Sequence, residues 1–354
     1  MNRRLGRFGL QEGTAAVGLG ALLSGTFAVN LGETYGAGNV CYAATAAGAL
    51  LSLLLMGLLL KAMERRGTGD LGSLLFDRFG GLLGALLGMP LILGLQLCAV
   101  LPLFRFTLAM ERYIFVEADY VPVALYLLPV LLLLVLRGME CVARMAKLLA
   151  IPGAVALIMT LYLASPAFHI HHLYPLFSPG FSAFLTQTGE ALFRFLPAGT
   201  ALCVAGKGCQ GQGHLSGSVR RGLLLGGAGS TAMQLGLGLT FFGPDIAGMA
   251  ARQERMSLRL DMLVLFLWLM AGLVAAGVYV YAAALLLCQT AGIQDIRPVG
   301  GLLVLGTVGM LLLCNFDSER ILNVVRLVYH GGWLLFLVPL AGLLLLSLGK
   351  GEKG

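Results

Sequence analysis

The sequence predicts an all-α polytopic membrane protein of about ten transmembrane helices, and three observations carry that prediction. Apolar residues make up 58% of the 354 positions, and the mean hydropathy is +0.89. Charged residues make up only 12%, about half of the ~25% typical of soluble proteins. The apolar positions fall in blocks, ten of which qualify as spans of about 20 residues, the length that crosses a hydrocarbon core of about 30 Å. Length alone would fit two soluble domains, but this composition excludes them, and the chain reads as a single transmembrane domain over 1–354. Glycine supplies 50 residues, about twice its usual ~7% share. Small residues of this kind let membrane helices approach closely or break.

In chain order the expected spans are 10–31, 38–60, 81–109, 121–137, 145–164, 190–206, 219–242, 260–288, 299–315 and 332–349. The first follows Arg3, Arg4 and Arg7 and shows no small-residue cleavage site, so it reads as an uncleaved helix. Within it, GLGALLSGTF carries Gly18, Gly20 and Gly25 with Ser24 and Thr26. The third opens on Gly80, Gly81, Gly84 and Gly88, read as a close packing face, and holds Gln96. The fourth and ninth are short; the third and eighth are long enough to tilt or to extend past the bilayer. The sixth, RFLPAGTALCVAGKG, carries Arg194, Pro197, Gly199, Thr200, Gly206 and Gly208, and the seventh holds Gln234.

The 24 Lys and Arg residues divide 16 to 7 between the two sides, with Arg194 inside the sixth span. The richer side is the one carrying the N-terminus, so both termini are expected in the cytoplasm. Ten spans divide into five plus five, and an odd number per half gives the halves opposite orientation, as an inverted repeat requires. The repeats are expected at about 10–164 and 190–349. Proline removes a backbone donor and glycine tolerates non-helical dihedrals. Their matching positions in the first and sixth spans therefore predict interrupted helices around a midplane ligand site. The expected ligand-binding residues are Gly18, Gly20, Gly25, Thr26, Pro197, Gly199 and Thr200. Freed amides at such a break suit a carboxylate, and freed carbonyls suit an ammonium or cation.

Gln96, Arg194 and Gln234 mark a possible polar pathway, although interhelical hydrogen bonds fit the two glutamines and an ion pair with Glu190 fits Arg194. His169, His171 and His172 form HIHH with no acidic or cysteine ligand nearby, so no metal is expected. The seven cysteines contain no CxxC and support neither a disulfide framework nor a zinc site. No phosphate-binding Walker pattern and no nucleophile–base–acid constellation is present, so no cofactor and no enzymatic activity are expected. The net charge of +7 sits in short loops without interleaved aromatics. That pattern reads as membrane orientation rather than nucleic-acid binding.

Several strings resemble the B subunit of bacterial spore germinant receptors, a permease-like branch of the amino acid–polyamine–organocation superfamily. GMECVARMAK (138–147) matches its Gly-x-Glu-x-x-x-Arg stretch through Gly138, Glu140 and Arg144. HLYPLFSPG (172–180) matches through Leu173, Pro175 and Gly180, and RLDMLVLFLW (259–268) through Arg259, Asp261 and Trp268. QDIRP (294–298) resembles its Asp-x-Arg-Pro ending. The resemblance implies a LeuT-like fold of two inverted five-helix repeats in the spore inner membrane or cell membrane. It also implies association with receptor A and C subunits and response to a small nutrient, commonly an amino acid. One departure stands out: relatives often carry an acidic residue after the sixth-helix glycine, and RFLPAGTALC has none after Gly199.

Three functions follow as alternatives. The first is a germinant-sensing subunit whose nutrient shifts a conformational equilibrium. The second is a secondary amino-acid transporter coupled to Na⁺ or H⁺. The third is an ion-conducting or scaffolding subunit with a vestigial site. The central parts of the first, third and eighth spans lack Asp and Glu, which favours sensing over proton-coupled transport.

Overall fold

The structure, a computed structural model, describes residues 7–27, 40–113, 120–174, 180–211, 213–240, 258–314 and 331–348. These residues form ten α-helices: α1 (Leu10–Phe27), α2 (Cys41–Arg66), α3 (Leu71–Tyr113), α4 (Tyr120–Arg137), α5 (Met139–Ala164), α6 (Phe181–Val204), α7 (His214–Thr240), α8 (Leu258–Ala291), α9 (Ile296–Cys314) and α10 (Val338–Leu348). A π-helical turn, Trp333–Leu337, leads into the last of them. Each helix covers most of one expected span. Among the described residues, five stretches are long and apolar enough to cross a membrane by length and composition alone: Cys41–Arg66, Leu71–Phe104, Met139–Ala167, Phe266–Ala291 and Ile296–Leu313. The interior helix α6 is buried almost continuously from Gln187 to Val204, so it meets protein rather than lipid and tolerates polar residues.

Glycines turn the chain at three places with one backbone geometry. Gly80 (φ 72°, ψ −172°) bends α3, separating a short arm, Leu71–Phe79, from the long span. Gly138 (φ 88°, ψ 176°) is the single residue between α4 and α5. Gly180 (φ 87°, ψ 166°) starts α6, nine residues earlier than its expected span. Only glycine occupies this region without strain. The expected packing face at Gly80, Gly81, Gly84 and Gly88 therefore divides. A methyl at Gly84 would press on Phe76 and one at Gly88 on Thr290, whereas Gly80 and Gly81 face open space.

The helices pack in pairs that exchange when each helix is replaced by its counterpart five places on. The contact of α1 with α7 has its counterpart in α6 with α2, and that of α5 with α8 in α10 with α3. The pairs α3 with α8, α4 with α9, α2 with α7 and α1 with α6 map onto themselves. The closest of these joints are built from small residues. On α7, Ser218, Gly222, Gly226 and Ser230 recur every fourth residue and face α1. A methyl at Gly226 would sit 2.6 Å from the Gly18 carbonyl oxygen, and one at Gly222 2.9 Å from that of Thr14. The Ser218 hydroxyl donates to the Leu10 carbonyl (3.0 Å) and the Ser230 hydroxyl to that of Leu22 (3.1 Å). On the counterpart joint, a methyl at Gly48 of α2 would lie 2.7 Å from the Leu192 nitrogen of α6.

Two of the strings singled out above, 138–147 and 294–298, lie at one end of the bundle, whereas Pro175 and the side chains of Arg259 and Asp261 lie outside the described residues. Beyond the Gly138 corner, Glu140 pairs with Arg144 at 2.5 Å and accepts the Arg7 backbone N–H at 3.2 Å, while Arg144 lies 3.9 Å from Glu12 of α1. Asp295 caps α9 by accepting the Arg297 N–H at 3.1 Å. At the same end a 3₁₀ turn, Gly206–Gly208, follows α6, and Phe8 forms a parallel bridge with Cys209. Lys207 of that turn reaches Asp70, whose side chain is wholly buried at the start of α3 and also accepts from Gln289 of α8.

Candidate functional site

Four helices, α1, α3, α6 and α8, meet around a cavity lined by Gly20, Leu23 and Ser24, by Cys98, Leu101 and Pro102, by Phe193 and Arg194, and by Ala275 and Tyr279. It lies where the two halves face each other, since α1 with α6 and α3 with α8 are both self-exchanging pairs. Its free volume is about 20 Å³, room for a water rather than for an amino acid. The walls are mainly apolar, and the polar groups are few and convergent, as small-molecule sites require. The Ser24 and Tyr279 hydroxyls are 3.3 Å apart. Gly20 makes that approach possible, because a methyl there would fall 3.0 Å from the Tyr279 hydroxyl and 3.3 Å from Ala198.

Arg194 is the charged group of the cavity wall. It stands near the middle of α6 and is 1% exposed. Its Nη2 donates to Oε2 of Glu190, one turn earlier and also buried, at 3.3 Å. The contact is longer than the about 2.7–2.9 Å usual for charge-assisted bonds. A buried ion pair adds little to stability over an apolar core, and an ionisable residue within a membrane span points to function.

Two prolines add acceptors. Pro102 and Pro197 have no N–H, so the carbonyls of Cys98 and Phe193, four residues earlier and both at the cavity, lose their helical donors.

Of the seven expected ligand residues, the five whose surroundings are described do not all line one cavity. Gly20 is at the cavity. Gly18 instead faces Gly222 of α7, and a methyl at Gly199 would meet Met56 of α2 at 3.1 Å. The Thr200 hydroxyl donates to the Leu196 carbonyl at 2.9 Å and points to Met56. Pro197 is buried in a helix that continues through it, so within the expected interruption Pro197, Gly199 and Thr200 lie in a continuous stretch, and α geometry ends at Gly206–Gly208. Neighbouring helices supply the packing that lets a proline remain inside a span. α1 is likewise helical throughout Leu10–Phe27. Gly25 and Thr26 lie within it, but their surroundings fall outside the described residues. The cavity sits one turn N-terminal of the expected place on α6, at Phe193 and Arg194.

Gln96 donates to the Leu303 carbonyl at 2.7 Å and to Thr307, joining α3 to α9. Gln234 is buried on α7 and accepts from the Cys41 thiol at 3.5 Å. Neither lines the cavity. His172 Nδ1 and the His169 N–H both meet the Leu239 carbonyl, at 3.0 and 2.8 Å, which docks HIHH on the end of α7. Among the described residues no group of three or more His, Cys, Asp or Glu could hold a metal ion. Outside the spans, partial burial pushes the Cys209 thiol above its usual range. Sequence reasoning missed Tyr279 and Cys98. A hydroxyl in an apolar span and a residue four before a proline were the available signals.

Residues 46–204 match the family model described as spore germination protein. A comparison with curated protein sequences gives no match. Solved structures match over nearly the whole chain at low identity. A nucleobase-cation-symport-1 family transporter, closed with bromovinylhydantoin bound, aligns at a TM-score of 0.69 and 12% identity, covering 95% of this chain and 82% of that one. A Na⁺-coupled sialic acid symporter in a substrate-bound outward-open state aligns at 0.70 and 10% identity, covering 95% and 79%. A manganese transporter of Eremococcus coleocola aligns at 0.64 and 15% identity, covering 93% and 78%. The chain thus has the LeuT-like transporter fold, an all-α membrane architecture.

Proposed function

From the match of residues 46–204 to the spore germination protein model we propose that the chain is a spore germination permease that binds a small nutrient, an amino acid, between α1, α3, α6 and α8 and so helps to trigger germination. The observation that carries the reading is the cavity itself. It is mainly apolar and is lined by one buried cation, Arg194, by the hydroxyl residues Ser24 and Tyr279, and by Cys98 and Phe193, whose carbonyls lack their helical donors. That set matches an amino acid: cation and hydroxyls for the carboxylate, carbonyls for the ammonium, and an apolar wall for a small side chain. The cavity is contracted, so the ligand must favour a more open arrangement of the four helices. Its differential affinity for that arrangement is the signal. Partner subunits of the receptor A and C type would read the change in the spore inner membrane, with both termini of this chain in the cytoplasm.

Gly20 offers the direct test. Gly20→Leu fills the space beneath Tyr279, so germination in response to amino acids should be lost while membrane levels of the protein stay normal. An unchanged dose–response rejects this placement of the site.

A second reading, secondary amino-acid transport coupled to Na⁺ or H⁺, is favoured by the transporter fold. Uptake of radiolabelled amino acids into proteoliposomes separates the two. Concentrative flux by the lone subunit supports transport, and saturable binding without flux supports sensing.

A further inference from the structure

We infer that Gly332 and the π-helical turn it precedes set the width of the cavity from behind, holding Phe193 as the wall that selects ligands by side-chain size. The inference rests on the ligand site proposed above and deepens it, since the class of ligand becomes amino acids with short apolar side chains. Phe193 of α6 is buried and borders the cavity. Gly332 is buried against the root of its ring: a methyl on Gly332 would lie 2.7 Å from Cγ, 2.9 Å from Cβ and 3.1 Å from Cδ1 of Phe193. Those atoms are the stiff base of the side chain rather than a flexible tip. Nothing larger than glycine fits there unless Phe193 or its helix moves.

The same turn braces a second wall. Phe336, within Trp333–Leu337, is wholly buried, and a methyl on Gly94 of α3 would lie 2.8 Å from its Cε2 and Cζ. Gly94 stands one helical turn before Cys98, which lines the cavity. The turn thus packs on α6 through Gly332 and on α3 through Phe336. It does so from behind, since the lining comes from α1, α3, α6 and α8. π-Helical turns are rare and occur often at functional sites, and this one carries the two contacts that fix the walls. Spreading the four helices makes room for a ligand's backbone and a short side chain. A longer side chain must also displace Phe193, and the Gly332 backbone blocks one retreat for that ring. In an apolar pocket a single methylene can change affinity about 10- to 200-fold, so one misplaced ring is enough to rank ligands.

The test uses the purified full chain in lipid nanodiscs, with binding measured calorimetrically. The probes are L-alanine, L-valine and L-leucine, a series in side-chain size. The wild-type chain should bind alanine at least about tenfold more tightly than leucine. Phe193→Ala removes the wall and should shift the alanine-to-leucine ratio about 10- to 100-fold towards leucine. Gly332→Ala displaces the ring and should weaken leucine severalfold more than alanine. Added to Phe193→Ala, which deletes two of the three atoms it would strike, Gly332→Ala should leave the ratio where Phe193→Ala put it. Phe336→Leu relaxes the brace on Gly94 without adding bulk and should move the ratio severalfold towards leucine; it serves if Gly332→Ala does not fold. Gly309→Ala, a methyl on α9 with nothing within 4 Å, should keep the wild-type ratio.

A variant that only loosens the fold weakens all three probes alike, so the ratio separates selection from stability. A wild-type chain that binds leucine as tightly as alanine, or none of the probes, overturns the inference. So does a wild-type ratio in Phe193→Ala or Phe336→Leu, an equal loss of all three probes in Gly332→Ala, or additive shifts in the double variant. Failure of the underlying site is recognised separately: binding that is insensitive to Gly20→Leu places the ligand elsewhere and removes both readings. Loss of binding in Gly20→Leu with an unaltered ratio in Phe193→Ala removes this inference alone.

Discussion

Gly138 shows what a single residue contributes. With φ at 88° and ψ at 176° it makes the corner between two spans without any intervening loop. Gly138→Ala should cost about 1–3 kcal/mol, the usual strain of a side chain in that region. Gly67, left-handed at φ 64° and ψ 19° at the end of α2, should cost nearer 1 kcal/mol when replaced by alanine. Thermal unfolding in detergent, comparing the two variants, checks the order. Equal losses would remove the distinction drawn here. At this scale the sequence was half legible. Gly138, Glu140 and Arg144 stood out as a string, but not as a corner followed by a clamp on Arg7 and Glu12. Those partners lie more than a hundred residues away, and no local pattern encodes them. Arg194 and its Glu190 partner were legible, because an i, i+4 pair of opposite charges is a property of the helix alone.

Among the elements, the joint between α1 and α7 gives the clearest contrast. Gly226→Ala puts a methyl 2.6 Å from a backbone carbonyl oxygen, so the helices must separate. Gly309 of α9 has nothing within 4 Å of the same added atom. Its alanine variant should be neutral or gain up to about 1 kcal/mol from helix propensity, while Gly226→Ala should lose about 1–3 kcal/mol from overpacking. Unfolding midpoints of the two variants in matched detergent make the test, and similar behaviour would show that the joint is not tightly packed. Helix number and rough limits were readable because spans are set by length and apolarity. The early start of α6 was hidden by Gln187 and Glu190, polar residues that the bundle buries. The helix continues through 197–200 of α6, and through Leu10–Phe27 of α1, for a related reason. Glycine in a membrane helix signals either a break or a close neighbour, and only the neighbour's position decides which.

For the whole molecule, the joints at one end are stronger than sequence patterns suggest. Lys207 lies 2.8 Å from Asp70 across the Gly206–Gly208 turn, and a methyl at Gly206 would press 2.4 Å from the Gly69 carbonyl oxygen. Asp70 is fully buried although its partner is 46% exposed. Lys207→Ala leaves that carboxylate without its cation and should destabilise the protein by about 1–3 kcal/mol. Lys207→Arg, which keeps the charge, should lose less. Urea or thermal denaturation of both variants decides the matter, and an alanine variant as stable as wild type removes the joint from the account.

The row of Ser218, Gly222, Gly226 and Ser230 has one more consequence. Long side chains lose rotamer freedom when they are buried between helices, and that entropy opposes closure. A surface of glycine and serine has almost none to lose. Backbone meets backbone, and the joint can close as a rigid fit without ordering any side chain first. Any motion that widens the space around Arg194 by shifting α1 must therefore carry α7 with it. The hinge then lies at the edges of that two-helix body rather than inside it.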